Sequence, residues 1–119
     1  MKGYASLPKA VQDCHELIAW IIPQLDKFPR QRRHTLGERI ETGLLEVLEW
    51  LVEAAYSHSK TQTLHRANLR LDRVRHLWRI GHELKVISGK SYAYGSHLLE
   101  LLGRQIGGWQ QHAGSQNRA

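Results

Sequence analysis

Apolar residues recur at every third or fourth position along four long stretches of this chain, and only three prolines interrupt its 119 residues. This spacing is the period of one face of an α-helix, and no stretch shows the strict alternation of a half-buried strand. The sequence therefore predicts an all-α fold in a single domain, residues 1–119. Four helices joined by short turns favour an antiparallel up-down-up-down four-helix bundle.

Turn signals set the bounds of the first two predicted helices. The first runs from about residue 8 to 27, and Pro23 is expected to kink it or to end its regular part. The second ends near Ser57 and has two possible starts. One start is near Arg30, and the other follows Thr35, because Thr35-x-x-Glu38 forms a capping-box pattern.

The last two helices are bounded in the same way. The third is predicted over about 60–87, with Ser59-x-x-Gln62 able to cap its start and Gly89 able to end it. The fourth is predicted over about 91–112, and the polar tail from about residue 113 is expected to be disordered. Glycines weaken the fourth helix by roughly 1 kcal/mol each unless they permit close packing. These glycines are Gly103, Gly107 and Gly108.

Helical periodicity predicts a core stripe on each helix. In chain order the predicted core residues are Val11, Cys14, Ile18, Ile21 or Ile22, and Leu25; Leu36, Ile40, Leu44, Val47, Leu51 and Ala54; Leu64, Ala67, Leu71, Val74, Trp78 and Gly81; and Tyr94, Leu98, Leu101 or Leu102, Ile106 and Trp109.

Two helices carry more apolar surface than one core requires. The apolar arc of the second helix spans roughly 200°, and the third helix continues a second face with leucine and isoleucine. A helix that is apolar on two sides is either central or buried a second time against another subunit. The predicted subunit contacts are Leu45, Leu48, Trp50, Val52, Leu77, Ile80 and Leu84.

Positive charge is concentrated in the third helix. The chain has a net charge of +6, and residues 59–88 carry seven Lys or Arg against two Asp or Glu. This asymmetry indicates an anionic partner, either nucleic acid or an acidic protein surface, although a solvated helix face is the simpler alternative. The candidate binding residues are Arg66, Arg70, Arg73, Arg75 and Arg79, with Lys85 and Arg104 secondary, and a separate cluster of Arg30, Arg32 and Arg33 at a helix end.

No arrangement of residues points to catalysis, a cofactor or a metal. The eight histidines include no His-x-x-x-His or Glu-x-x-His pair, the spacings that place two ligands on one helix face. GxGxxG and P-loop motifs are also missing. The single cysteine, Cys14, fits the apolar stripe as a structural thiol and suits a reducing cytoplasm. No apolar stretch is long enough to span a membrane.

Several phrases nevertheless resemble a known family. The run Phe28-Pro29-Arg30 followed by Leu36-Gly37-Glu38-Arg39-Ile40 is similar to the start of the second helix in four-helix-bundle proteins related to the 23S rRNA intervening-sequence protein. More narrowly, the chain resembles the Avd-like family, the accessory variability determinants of diversity-generating retroelements. The matching phrases are Leu51-Val52-Glu53-Ala54-Ala55-Tyr56, Arg66-Ala67-Asn68-Leu69-Arg70-Leu71-Asp72, Arg75-His76-Leu77-Trp78-Arg79 and Gly103-Arg104-Gln105-Ile106-Gly107-Gly108-Trp109.

The resemblance implies a function. Avd-like proteins are basic four-helix bundles that assemble as pentameric rings, bind a reverse transcriptase and RNA, and support error-prone cDNA synthesis without being enzymes themselves. We therefore expect a homopentameric, non-catalytic adaptor. The alternative is a structural four-helix oligomer of the wider family that has no nucleic-acid partner and whose arginines pair with glutamates of neighbouring subunits.

Overall fold

The computed structural model describes residues 7–118, and in this part of the chain every regular element is helical. Helix α1 spans Lys9–Leu25. Helix α2 is continuous but changes pitch, running as α-helix over Arg30–Arg32, as π-helix over Arg33–Gly37 and as α-helix over Glu38–Tyr56. Helix α3 spans Thr61–Glu83, and helix α4 spans Gly89–Arg118. The predicted all-α class is confirmed.

The helices pack as a bundle in which each contacts its two neighbours, α1 with α2 and α4, and α3 with α2 and α4. Neighbours run antiparallel. Side-chain hydrogen bonds between α2 and α3 pair Glu46 with Arg70 and Glu53 with Thr63, so residue numbers increase along α2 in the direction in which they decrease along α3. Within residues 7–118, no helix has both the length and the apolar character needed to cross a membrane.

The core is close to the predicted one. All the core residues predicted for α2 and α3 are buried, and in α1 the buried set also includes Leu17. The prediction was wrong in α4 for Tyr94, whose side chain is 51% exposed; between Leu101 and Leu102, the residue inside is Leu102. The inward stripe of α4 instead passes through Gly95 and Leu99, because Trp78 packs directly against Gly95.

Helix α2 starts at Arg30, the earlier of the two predicted positions. The backbone N–H groups of Arg32 and Arg33 already donate to the carbonyl oxygen of Pro29, at 2.8 Å each. The capping-box interpretation of Thr35 is wrong, because its hydroxyl lies inside the helix and donates to the Gln31 carbonyl at 3.0 Å. Back-bonding of this kind is usual for threonine within a helix.

Lys60, rather than Ser59, occupies the position before α3, and no side chain caps that helix start. The Lys60 ammonium donates instead to the carbonyl oxygens of Ala54 and Ser57, at 2.8 and 2.6 Å. It therefore satisfies carbonyl groups at the C-terminal end of α2, where a positive charge is favourable.

A Schellman motif ends α3, so the expectation that Gly89 ends this helix is wrong. Lys85 takes a left-handed conformation with φ 64°, and its N–H donates to the His82 carbonyl at 2.9 Å. The next N–H, of Val86, reaches back to the Gly81 carbonyl at 2.9 Å. Gly89 is the first residue of α4, and Ser88 caps this helix by accepting the Ser91 N–H at 3.2 Å.

The structure continues α4 as helix to Arg118, where the sequence predicted a disordered tail from about residue 113. Ala113 is buried, which gives this last part of the helix a packing contact with the bundle. A Cβ atom at Gly107 or Gly108 would meet nothing within 4 Å, and at Gly103 only ordinary contacts. These glycines are therefore not required for packing within the chain.

We expect Gly95→Ala to lower the free energy of unfolding by about 1–3 kcal/mol or more, because the added methyl group would lie 2.6 Å from Trp78 Cζ2. Gly107→Ala is the matched control, and it should raise the free energy of unfolding by up to about 1 kcal/mol. Urea unfolding of the two variants measures both effects. Equal effects of the two substitutions would contradict the packing described for Trp78.

We expect Lys85→Gly to raise the free energy of unfolding by roughly 1 kcal/mol, since glycine adopts the left-handed conformation without the steric cost that a Cβ atom imposes. Lys85→Ala keeps that cost while removing the charge, so it should change stability little. Thermal unfolding of both variants separates conformation from charge. A gain in stability from the alanine variant equal to that from glycine would contradict the conformational explanation.

Candidate functional site

The predicted binding arginines of α3 lie on two different sides of the helix. Successive helical residues are rotated by about 100°, so Arg70 and Arg75 point in directions about 140° apart. Arg66 and Arg70 face α2, where each contacts a residue of that helix. Arg75 and Arg79 lie one turn apart on the side facing α4. Helical periodicity already places Arg75 and Arg79 on a different face from Arg66, Arg70 and Arg73, and the structure shows which neighbouring helix each face meets.

The arginines that face α2 are engaged within the chain. The Arg70 guanidinium donates through Nε to Glu46 Oε2 at 2.8 Å, and its side chain is only 18% exposed. The Arg66 guanidinium lies 5.9 Å from the centre of the Trp50 ring, a cation–π arrangement. Arg73 is exposed, and within residues 7–118 it forms no ion pair. Binding by this side of α3 would compete with the contacts that join α2 to α3.

On the opposite side of α3, a cleft of ≈ 250 Å³ opens between α3 and α4. We call it the α3–α4 cleft; its lining residues are Asp72, Arg75, His76, Arg79, Tyr92, Ser96, Leu99 and Glu100. A second cleft, also ≈ 250 Å³, is lined by α3 residues towards the start of that helix and shares Asp72 and Arg75 with the first. The two adjoining clefts have a lining that is mostly polar or charged.

Arg75 stands between the two clefts. Its Nη1 atom would lie 3.9 Å from a Cβ atom added at Gly103, so the guanidinium reaches across to α4 where that helix has no side chain. In the part of the chain that the structure describes, Arg75 forms no ion pair, and Arg79 has only a 3.8 Å contact with Glu83 between two exposed side chains. Exposed pairs of this kind contribute about 0–1 kcal/mol, so both guanidinium groups remain available to an anion.

Tyr92 is the aromatic residue that lines the α3–α4 cleft, and its ring is held from behind the lining by His82. The Tyr92 ring stacks on the His82 ring with centres 4.4 Å apart and planes 6° apart. His82 Nδ1 lies 3.3 Å from the Ile87 carbonyl oxygen, and the Trp78 indole N–H donates to the Tyr92 carbonyl at 3.2 Å. Sequence reasoning missed Tyr92 and His82, because they come from two helices and meet only across the turn. The sequence feature that could have pointed to this site was Tyr92, an aromatic residue one turn after the start of α4.

The carboxylates of this cleft have partners of their own. Asp72 Oδ2 lies 3.7 Å from His76 Nε2, and Glu100 Oε1 accepts from Arg104 Nη2 at 2.6 Å. Arg104, a secondary candidate, is therefore engaged with its own helix. The cleft thus combines two available guanidinium groups with hydrogen-bond acceptors and a fixed aromatic ring.

The separate arginine cluster is divided as well. Arg33 Nη2 contacts Asp26 Oδ1 at 3.2 Å and Glu41 Oε1 at 3.5 Å, so it ties the α1–α2 connection to α2. Arg30 and Arg32 are exposed. They lie at the end of the bundle where α2 begins and α3 ends, which is also the end that carries Lys85.

The predicted subunit contacts form two patches rather than one. Glu46 and Trp50 face α3, and Leu48 lies about 160° around α2 from both. Leu45 and Val52 are exposed beside Leu48, and we call these three residues the α2 patch. Half-buried Leu77 with exposed Ile80 and Leu84 form the α3 patch. Trp50 belongs to neither patch, because it lies half-buried against Arg66.

Cys14 is fully buried, and burial raises the pKa of its thiol to about 12. A thiol that stays protonated is a poor nucleophile and a poor metal ligand, which supports the structural role predicted for it. Within residues 7–118, no group of three His, Cys, Asp or Glu side chains could hold a metal ion.

Comparison with known proteins gives one result. The family model described as bAvd-like matches residues 10–113, which is most of the chain and covers most of each of the four helices. No curated protein and no solved structure matches.

We expect Cys14 to react with thiol reagents only when the protein unfolds. The pKa of the thiol is raised on folding from 9.0 to about 12, so its contribution to stability is complete below pH 9 and is lost as the pH rises towards 12. Urea unfolding between pH 8 and pH 11 should show this decrease, and Cys14→Ala should lack that part of it. Identical pH slopes for the two proteins would contradict the prediction.

Proposed function

Because the chain belongs to the bAvd-like family, we propose that it is a homo-oligomeric adaptor that binds RNA and a reverse transcriptase during retroelement-type cDNA synthesis. The family is one of accessory proteins that are generally non-catalytic. The adaptor holds the template and the polymerase together, and the polymerase supplies the chemistry. Its place of action in this proposal is the cytoplasm.

One observation carries the nucleic-acid part of the proposal. Arg75 and Arg79 line a cleft without a strong ion pair to any other residue of 7–118, in a chain whose net charge is +6. Guanidinium groups suit phosphate because their planar fork donates two parallel hydrogen bonds. A ring of five copies would carry about +30, so its affinity for RNA should fall steeply with salt.

The oligomer in this proposal is a closed ring, with five subunits as the expected number. A ring forms through a heterologous interface, in which two different patches of each subunit meet. The α2 patch and the α3 patch supply two such surfaces. Leu45, Val52, Ile80 and Leu84 are large apolar side chains exposed in one chain, and contact between the patches of neighbouring subunits would bury them.

The remaining exposed cations serve the polymerase or the RNA backbone in this proposal. Among the predicted binding residues, those that are exposed and form neither an ion pair nor a cation–π contact within residues 7–118, besides Arg75, are Arg30, Arg32, Arg73 and Lys85. The alternative, a structural oligomer held by ion pairs between arginines and glutamates of different subunits, loses one such pair, because Arg70 binds Glu46 of its own chain.

Electrophoretic binding of a structured RNA at several salt concentrations, with the oligomer mass measured on the same sample, tests the proposal. We expect an oligomer that binds RNA with a steep salt dependence. An oligomer without affinity for RNA at low salt would support the alternative, and a monomer would contradict both. Pull-down of a reverse transcriptase by the oligomer then tests the polymerase part.

We expect Arg75→Gln with Arg79→Gln to weaken RNA binding at every sequence and to reduce the slope of log affinity against log salt by about 0.7 to 0.9 for each phosphate contact that is lost. The matched control is Lys27→Gln with Arg39→Gln. It removes the same charge from exposed side chains that lie outside the α3–α4 cleft. Filter binding across a salt series measures both slopes. Equal losses in the two double variants would show that net charge, and not the cleft, determines binding.

A further inference from the structure

We propose that the α3–α4 cleft receives an unpaired nucleotide of the bound RNA, with a phosphate at Arg75 and Arg79 and the base beside Tyr92. This inference rests on the proposed function, since it specifies which form of nucleic acid the cleft takes. It adds that the bound RNA presents a single-stranded segment at this site.

The shape of the cleft favours a single unpaired base over a duplex. A space of ≈ 250 Å³ between two helices is concave and is smaller than the roughly 300–1,000 Å³ of sites for drug-sized ligands. An RNA duplex presents a convex backbone and a wide, shallow minor groove, so its stacked bases cannot enter such a space. A single base that is splayed out of a loop, a bulge or a strand end can enter this space without its neighbours.

The ordered ring of Tyr92 favours stacking of a base in the cleft. Unpaired bases bind proteins by stacking on aromatic side chains beside cationic groups. Tyr92 is held by its stack on His82 and by its backbone hydrogen bond from Trp78. A ring that is already ordered loses little conformational entropy when a base packs against it.

The lining of the cleft contains both positive and negative side chains, which favours one phosphate and one base over a run of phosphates. Binding of a continuous phosphate backbone depends on Lys and Arg that neutralise its phosphates, whereas this cleft also contains Asp72 and Glu100. Carboxylates repel a second phosphate, but they accept hydrogen bonds from the amino and imino groups of a base edge. Their partners, His76 and Arg104, are exposed and exchangeable at small cost. The combination suits one phosphate and one base.

Two probes of the same sequence test this inference on the full chain at one salt concentration. One is a short single-stranded RNA that carries a 2-aminopurine, and the other is the blunt duplex of that RNA. We expect the single strand to bind at least tenfold more tightly and its fluorescence to be quenched on binding. Equal affinities without quenching would overturn the inference and leave RNA binding intact. Loss of binding to both probes would instead overturn the proposed function.

Substitutions identify the site of that preference. Tyr92→Leu should lower single-strand affinity by roughly 5- to 150-fold, the range for one stacked base, and should abolish the quenching. Tyr92→Phe should restore both. The matched control is Tyr94→Leu, because Tyr94 is exposed on the side of α4 that faces α1 and contacts Trp20.

A second substitution keeps the test independent of any loss of stability at Tyr92. Ser96→Phe fills the cleft from the α4 side without changing the aromatic stack. It should reduce single-strand affinity while leaving duplex affinity unchanged. If both probes respond equally to Ser96→Phe, or neither does, the cleft is not where the base binds.

Discussion

The packing of Trp78 is the contact on which the arrangement of three helices depends. Its indole is almost completely buried in α3, meets the edge of Trp20 from α1, and lies directly against the backbone of α4 at Gly95. Only glycine leaves room for this approach. The indole N–H then donates to the Tyr92 carbonyl, which fixes the first turns of α4 relative to α3. The spacing and alignment of the α3–α4 cleft follow from that contact.

Charge is distributed around α3 according to what each neighbouring helix offers. The side facing α2 meets Glu46 and Trp50, so Arg70 and Arg66 join the two helices. The side facing α4 meets Gly103, and Glu100 of that helix is paired with a residue of α4 itself, so Arg75 reaches across without an ion pair within residues 7–118. One arginine-rich helix therefore has a structural side and an available side, and the available side is the one that suits an anionic partner.

The sequence predicted much of the fold and less of the site. The core stripes of α2 and α3 were correct residue by residue, because burial at a period of 3.6 leaves a clear apolar pattern. Helix ends were less predictable. Thr35 and Gly89 have the residue types of a helix start and a helix stop, yet Pro29 starts α2 earlier and Lys85 ends α3 in an unfavourable conformation. Local preferences of about 1 kcal/mol are readily outweighed by packing.

By itself, the sequence determined the helical class, the apolar stripes, the burial of Cys14 and the excess of arginine on the third helix, because each of these is a property of residue type and spacing along one helix. The tertiary structure alone decided which arginines are paired and which are available, that Trp50 lies against Arg66, and that Tyr92 and Arg79 line the same cleft. These features depend on how neighbouring helices are rotated and aligned. Contacts such as Trp78 with Gly95, between residues far apart in the chain, set that rotation.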